Sequence, residues 1–294
     1  MPRLEVLKTY KIFIAGKFPR TESGRYYIAE NKKGDKLANV CLSSRKDFRD
    51  AVIAARSAFN DWGSRAAFNR SQVLYRIAEM LEGRKAQFID ELMKQDSTKE
   101  QAEKEVSLSI ERLIYYVGWC DKFQQLYSTV NPVASSHFNF SAPEPTGVVS
   151  IIAPQNNSLI GLVSVIAPII AGGNTCVVLA SASKPLCAVT FAEVLGTSDV
   201  PGGTINILTG KPGELLSWFS DHMDVNAIVF CENDKEAILK IQQKATLNLK
   251  RVLLWNNYNW LLETAQNPYL INDAQEIKTT WHPIENIGGA KAGY

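Results

Sequence analysis

Cysteine and histidine are the residue types that most often act as nucleophiles and metal ligands, and this chain has five and three of them. They are Cys41, Cys120, Cys176, Cys187, Cys231, His137, His222 and His282. No cysteines have CxxC spacing, and no histidine has a second histidine or cysteine at the spacing of a metal ligand. We therefore expect buried thiols in a reducing compartment and no metal site.

Two closely spaced glycines are the chain's candidate for phosphate binding. Gly210 and Gly213 follow a β-branched run at residues 204–208, and glycines in such a position let a helix N-terminus approach a phosphate. The spacing is short and common, and the loops after the other β-branched runs contain neither a GxGxxG pattern nor a P-loop. These glycines therefore do not identify a nucleotide site by themselves.

The elements that must position these residues are strands alternating with helices in the second half of the chain. Short β-branched runs, separated by stretches long enough for helices, lie at residues 147–152, 175–179, 204–208, 227–230 and 251–254. This alternation predicts right-handed βαβ units in an α/β fold with a doubly wound, mainly parallel sheet. Such a sheet binds ligands beyond the carboxyl ends of its strands, so a site is expected in the loops after these runs.

An amino-terminal helical layer is predicted for the first half, after a short strand at residues 11–14. Apolar residues recur at helical spacing after Ser43 and Ser44, which can cap a helix. Ser97 and Glu100 have the spacing of a capping box ahead of a second long apolar stripe. We expect these stripes to pack in the core rather than to bind a ligand.

Two extended segments are predicted to form a protruding β-arm. Residues 137–140 alternate polar and apolar side chains ahead of Pro143 and Pro145, and residues 276–282 form a last extended run. Alternation with a period of two is typical of a strand. We expect the two segments to pair with each other.

Composition and charge narrow the class of protein. The chain has 294 residues, 46% of them hydrophobic, which indicates a globular protein with a substantial core. A formal net charge of +2 argues against a nucleic-acid partner. The longest apolar stretch, residues 159–173, is shorter than a bilayer requires, so we expect a buried helix and no membrane partner. The amino terminus lacks the apolar core of a signal peptide, which predicts a cytoplasmic protein.

Several segments, in order along the chain, resemble the aldehyde dehydrogenase superfamily, whose members use NAD(P). The matching segments are FIAGKFPRTESGR, DFRDAVIAARSAFNDW, RLIYYVGWCDKF, EPTGVVSIIAPQN, APIIAGGNTCVVLA, VPGGTINILTG, VNAIVF and LKRVLLW. The resemblance implies a shortened member: a Rossmann-like cofactor-type domain over residues 1–260, with an arm strand at about 130–145, and a tail over residues 261–294 that carries an oligomerisation strand.

The resemblance also assigns a degenerate site. It places cofactor contacts at Ile152, Ala153, Pro154, Gly210 and Gly213. It matches the family's Pro-Trp-Asn with Pro154-Gln155-Asn156, so that Asn156 corresponds to the asparagine that helps to form the oxyanion site. A turn or capping asparagine after Pro154 is the simpler alternative for Asn156.

The chain departs from the family pattern at positions where the family carries residues that its reaction needs. The Lys-Pro-Ser-Glu run that would bind the adenosine ribose is matched by residues 180–183, which carry neither lysine nor glutamate. The Thr-Gly-Ser stretch beside the pyrophosphate is matched by residues 231–237, which carry three acidic side chains. The stretch with the general-base glutamate is matched by residues 255–259, and no cysteine follows Cys231. We therefore expect NAD(P) binding to be weak or lost and no catalytic residue beyond the Asn156 remnant.

The retained strand at residues 276–282 suggests assembly with another subunit. In the family, a similar strand follows the catalytic domain and, with the hairpin near residues 137–142, joins the sheet of a neighbouring subunit. The resemblance thus implies that the catalytic domain has been excised internally. We predict a non-catalytic subunit that pairs by β-augmentation with a full-length aldehyde dehydrogenase, or with itself. An NAD(P)-dependent aldehyde oxidoreductase and a nucleotide or metabolite sensor are the alternatives.

Trp255, Tyr258 and Trp260 allow two interpretations. Aromatic side chains in this spacing can stack on nucleic-acid bases, or they can fill a former active-site crevice or an interface. The small net charge favours the second interpretation.

Overall fold

The computed structural model describes residues 6–284, which form three β-sheets and ten α-helices. The strands are β1 (Thr9–Tyr10), β2 (Tyr26–Glu30), β3 (Lys36–Cys41), β4 (Thr129–Asn131), β5 (His137–Pro145), β6 (Val148–Ile152), β7 (Thr175–Leu179), β8 (Ile205–Leu208), β9 (Ala227–Phe230), β10 (Arg251–Leu254) and β11 (Gln275–Pro283). The helices are α1 (Arg45–Ser64), α2 (Ala67–Gly83), α3 (Lys85–Lys94), α4 (Lys99–Val117), α5 (Phe123–Tyr127), α6 (Ile160–Ala171), α7 (Leu186–Leu195), α8 (Pro212–Asp221), α9 (Lys235–Ala245) and α10 (Tyr269–Asn272).

A five-stranded parallel sheet in the order β10-β9-β6-β7-β8 forms the centre of the molecule. Ile152, at the end of β6, lies opposite Leu179 on β7 and Phe230 on β9. Strands β6 to β9 are buried at every position, as parallel strands are when helices cover both faces of the sheet. The predicted doubly wound α/β architecture is confirmed, and the five strands agree with the predicted ones to within one residue.

Helix α6 is buried along its whole length. Ser164 is its one polar side chain, and Pro168 lies in its last turn. A helix that is apolar on all sides is stable only inside a core. The buried helix predicted for this stretch is therefore confirmed. No helix within the described range is long and apolar enough to cross a bilayer.

A small amino-terminal sheet in the order β1-β3-β2 was not predicted from the sequence. The strand predicted at residues 11–14 is wrong, because Phe13 and Ile14 form only isolated bridges and the strand lies at Thr9–Tyr10. Phe13 exchanges two backbone hydrogen bonds with Ile207 on β8. The extended backbone at Phe13 therefore forms a bridge to the edge of the central sheet and not a strand.

Two capping boxes start the long helices of the first half. Ser44 caps α1 with Asp47 at its third position, as predicted for this serine. The box of α4 is formed by Thr98 and Gln101, so the predicted pair Ser97 and Glu100 is wrong by one residue. Both pairs have the same spacing, and only the backbone conformation decides which hydroxyl faces the free N–H groups.

The predicted arm is a three-stranded antiparallel sheet in the order β11-β5-β4. Nine residue pairs join β5 and β11, from Gln275 opposite Pro145 to Pro283 opposite His137. Every residue of β11 after Gln275 is exposed. The pairing expected between the two extended segments is confirmed.

Candidate functional site

The loops beyond β6 and β7 meet at the carboxyl edge of the central sheet, where a doubly wound fold binds its ligands. The Gln155 side chain spans the gap between them: its Nε2 donates to the Ala153 carbonyl at 2.9 Å, and its Oε1 accepts from the Ala182 N–H at 2.8 Å. The hydroxyls of Ser181 and Ser183 each donate to the Gln155 carbonyl at 2.8 Å. The polar groups that line this gap therefore bond to one another.

Glu232, in the loop after β9, closes the other side of the same gap. Its Oε1 accepts a hydrogen bond from the Gln155 N–H at 2.8 Å. The carboxylate thus takes up a backbone donor that faces the carboxyl ends of β6 and β9. A phosphate approaching this point would meet a like charge instead of a free N–H.

The N-terminus of α9 is also occupied by a carboxylate. Asp234 accepts from the N–H groups of Glu236 at 3.0 Å and Ala237 at 3.1 Å. Free N–H groups and the positive end of the dipole are what draw a phosphate to a helix start. Asp234 therefore supplies from within the chain the negative charge that a pyrophosphate would otherwise bring.

The N-terminus of α6 is also bonded to a carboxylate, which comes from a residue on another helix. Glu105, on α4, accepts from the N–H groups of Leu159 at 2.9 Å and Ile160 at 3.2 Å. Glu105 is buried, and its charge lies at the positive end of a helix that carries no charged residue of its own. This interaction connects the helical layer to the loop after β6. Sequence reasoning missed it because the two residues are far apart along the chain.

Asn156 stands apart from this network. Its side chain is exposed, and among residues 6–284 it makes no hydrogen bond, neither as a cap nor as a turn bond. The cofactor candidates Ile152, Ala153 and Pro154 are buried beside it. The structure thus brings the predicted residues together at one loop, but it gives the Asn156 amide no partner group with which to form an oxyanion site.

The two candidate glycines differ in their environments. Gly210 is buried, has a φ of +155° and would place a Cβ 3.4 Å from the Ser43 nitrogen, so local backbone conformation accounts for this glycine. Gly213 is exposed in the first turn of α8, and a Cβ there would meet nothing within 4 Å. Neither glycine forms a cradle with the loop after β6.

Aromatic side chains occupy the region after β10, where the family pattern carries its general base. Trp255 and Trp260 are buried in the main core, and Tyr258 packs on Trp260 with ring centroids 5.1 Å apart. Trp255 donates from Nε1 to Oδ2 of Asp273 at 3.0 Å. Burial raises the pKa of Asp273, and this hydrogen bond opposes the rise. The side chains fill a crevice and do not present a stacking surface.

A buried guanidinium fixes the segment that joins β10 to β11, residues 255–274. Arg112, on α4, is 1% exposed. It donates to the Ser164 hydroxyl at 2.8 Å, the Leu262 carbonyl at 3.1 Å, the Gln266 side chain at 3.2 Å and the Trp260 carbonyl at 3.3 Å. We call residues 255–274 the connector. Its apolar side chains continue the main core against α6, and its residues in that core are Trp255, Trp260, Ala265, Leu270, Ile271 and Ala274.

The cysteines have the character of core residues. All five are buried and unpaired. Burial raises the pKa of Cys120 to about 12 and raises those of Cys176, Cys187 and Cys231 as well. The thiolate is the reactive form, so these thiols are poor nucleophiles at neutral pH. In the part of the chain that the structure describes, no cluster of three His, Cys, Asp or Glu side chains could hold a metal ion.

The residues at the crevice do not fit NAD(P). The N–H groups of Gln155, Glu236 and Ala237 already bond to the carboxylates of Glu232 and Asp234. The loop after β7 offers the ribose no lysine or glutamate at residues 180–183. Binding the pyrophosphate would require breaking these bonds and bringing like charges together.

The fold is a Rossmann-like α/β domain in which the loops at the carboxyl edge of the central sheet bond to one another. The family model described as the aldehyde dehydrogenase family matches residues 19–256. The chain belongs to the aldehyde dehydrogenase family. It is 31% identical to cytosolic 10-formyltetrahydrofolate dehydrogenase of Mus musculus over 258 residues, which cover 86% of this chain and 29% of that protein.

Solved structures agree with this assignment. The NAD+ complex of an aldehyde dehydrogenase from Bacillus cereus superposes with a TM-score of 0.79 at 26% identity, over 84% of this chain and 50% of that one. HpcC from Thermus thermophilus gives a TM-score of 0.79 at 25% identity, over 84% and 48%. The chain thus spans about half the length of the aldehyde dehydrogenase structures that it matches.

Proposed function

We propose that this chain is a non-catalytic subunit of the aldehyde dehydrogenase family that pairs through its arm with a full-length relative. The observation that carries the proposal is the nine-residue ladder between β5 and β11. Within residues 6–284 the other edge of β11 pairs with no strand. A long exposed strand edge is a template for a strand of another chain.

The side chains of the arm support a docking role. On one face of the arm, Asn131, Ser141 and Thr279 form a hydrogen-bonded ladder, with Asn131 Nδ2 2.9 Å from the Ser141 hydroxyl and that hydroxyl 2.8 Å from Thr279 Oγ1. Ile277 and Trp281 are each 55% exposed along the outer strand. Large exposed apolar side chains beside an unpaired edge are typical of an interaction surface.

The connector supports the non-catalytic part of the proposal. In the family pattern, the catalytic domain and its nucleophile lie between the strands that correspond to β10 and β11. In this chain the connector joins those strands, and its tryptophans and Arg112 fill the adjacent core. A connector that is folded into the core in this way needs no catalytic domain to cover α6.

The experiment is a mass measurement of mixed assemblies. The protein is mixed at micromolar concentration with a full-length aldehyde dehydrogenase from the same organism, and masses are measured by native mass spectrometry. A mixed species is expected, and it should be lost in the double variant Ile277→Glu, Trp281→Glu. The control variant Leu239→Glu, at a residue 56% exposed on α9, should assemble normally.

Two outcomes would overturn the proposal. Masses of the separate proteins only, or of an oligomer of this chain alone, would exclude the paired subunit. Saturable NAD+ binding with turnover of an aldehyde by this chain alone would exclude the non-catalytic role. Thermal stabilisation by NAD+ without turnover would instead favour a nucleotide sensor.

A further inference from the structure

A groove between α1 and α8 lies outside the crevice and is not used by the proposed function. Its volume is about 540 Å³, in the range of small-molecule sites. It is lined by Arg45, Lys46, Phe48, Arg49, Trp218, Asp221, His222 and Met223. Aromatic rings and cations are thus combined in one concave surface.

The rings of the groove are fixed by packing. Phe48 is buried and stacks on Phe219 with centroids 4.2 Å apart. His222 meets Phe48 edge to face at 5.7 Å, and the Arg45 guanidinium lies 4.2 Å from the centre of the Trp218 ring. Phe48 and Phe219 are buried beneath the groove, and the half-buried rings of Trp218 and His222 line it. Flat rings of this kind favour a flat ligand, which can stack on a ring or meet its edge.

The charges in the groove leave one cation uncompensated. Lys46 pairs with Glu22, Arg49 with Asp50, and Asp221 with Lys244. Arg45 makes no ion pair or side-chain hydrogen bond with any residue in the range 6–284. The Arg45 guanidinium lies over the Trp218 ring, and N–H groups that bond to no residue in this range are available for a bidentate bond to a carboxylate.

His222 supplies a second donor. Its Nδ1 accepts from the Asp224 N–H at 3.2 Å, so a neutral ring carries its proton on Nε2. Burial lowers the pKa of His222, which favours the neutral ring. The groove therefore offers one free guanidinium and one neutral N–H donor, a set suited to a monoanion rather than to a polyphosphate.

We propose that the groove between α1 and α8 binds a small aromatic carboxylate, with its ring against Trp218 and its carboxylate on Arg45. The ligand class follows from the single free cation and the aromatic walls. The proposal is independent of the paired-subunit role, because the groove and the arm share no residue.

The test is calorimetric titration of the full chain with 2-naphthoate at pH 7.5 in low salt. Saturable binding is expected with a Kd below about 1 mM, in line with the efficiency of small ligands. The uncharged 2-naphthamide, which has the same shape, should bind at least tenfold more weakly. Added salt should weaken 2-naphthoate binding, since an exposed ion pair is screened.

Variants assign the binding to the groove. Arg45→Gln and Trp218→Leu should each weaken 2-naphthoate binding at least tenfold, and the control Arg76→Gln, at an exposed arginine on α2, should not change it. Arg45 is exposed, so its variant is expected to fold. Equal affinity for naphthoate and naphthamide, unchanged binding by Arg45→Gln, or equal affinity for hexanoate would overturn the proposal.

Discussion

The backbone N–H of Gln155 donates to the carboxylate of Glu232 at 2.8 Å, across the carboxyl ends of β6 and β9. This bond joins the loops on either side of the crevice in which a doubly wound sheet would bind a dinucleotide. The same residue, Gln155, bonds through its side chain to the loop after β7. Gln155 therefore holds the crevice closed, because it bonds to the loop after β7 and to the loop after β9.

We predict that removing the Glu232 carboxylate destabilises the closed crevice. Glu232→Ala leaves the partly buried Gln155 N–H without its acceptor and should cost about 1–2 kcal/mol of unfolding free energy. Glu232→Gln retains an acceptor oxygen without the charge and should cost less. Urea unfolding of both variants at pH 7 measures the difference, and an unchanged unfolding free energy in Glu232→Ala would contradict the prediction.

Arg112 should be essential for the connector. Arg112→Ala removes donors to two carbonyls and two side chains in a buried site, so we expect a loss of about 3 kcal/mol. Hydrogen exchange should become faster in residues 255–274 before it does in the central sheet. Arg76→Ala, at an exposed pair with Glu79, should cost less than about 0.5 kcal/mol.

The cysteines should be unreactive in the folded protein. All five thiols are buried, and burial raises the pKa values of Cys120, Cys176, Cys187 and Cys231. We therefore predict slow modification by DTNB at pH 8, followed by reaction of all five thiols in denaturant. The absorbance change at 412 nm counts the thiols in each state. One thiol that reacts within seconds under native conditions would reveal an activated nucleophile and contradict this prediction.

Lys250 should make stability depend on pH above neutrality. Burial lowers its pKa to about 8, whereas an unfolded lysine titrates near 10.4. Between these values the unfolded chain binds more protons than the folded one, so the contribution of Lys250 to unfolding free energy rises with pH from about 8 to about 10. Below pH 8 its cost is constant.

The measurement compares wild type with Lys250→Met. The ammonium donates to the carbonyls of His222 and Val225, so the variant loses these bonds at every pH. Its unfolding free energy should nevertheless lack the rise that wild type shows between pH 8 and 9.5. Lys240→Met, at an exposed lysine on α9, should retain the rise. Parallel curves for wild type and Lys250→Met would contradict the lowered pKa.

The elements that the sequence predicted are those with a strong and regular pattern. The β-branched runs of β7 and β9 were located to the residue, because a fully buried parallel strand favours apolar side chains along its length. Strand β10 was also located to the residue, although its side chains are only partly buried or exposed. The sheet formed by β1, β2 and β3 was missed. Strand β2 is largely exposed, so nothing in its apolar pattern distinguishes it from a loop.

The sequence predicted where the site lies, but it did not predict which residues bond to one another there. The sequence located the acidic residues after β9 and the absence of the ribose-binding pair after β7. It did not indicate that Gln155 would bridge both loops or that Glu105 would cap α6. These bonds join residues that lie far apart along the chain, and their partners cannot be paired before the chain is folded.

The sequence by itself determined the family, the parallel sheet, the arm strands and the departures from the family's motifs, because each depends on local pattern or residue identity. Only the tertiary structure decided which groups meet at these positions. Carboxylates from within the chain occupy the N–H groups of α6 and α9, Arg112 fixes the connector, and a cation-lined groove opens between α1 and α8. Each depends on distances between side chains on different elements, which packing alone sets.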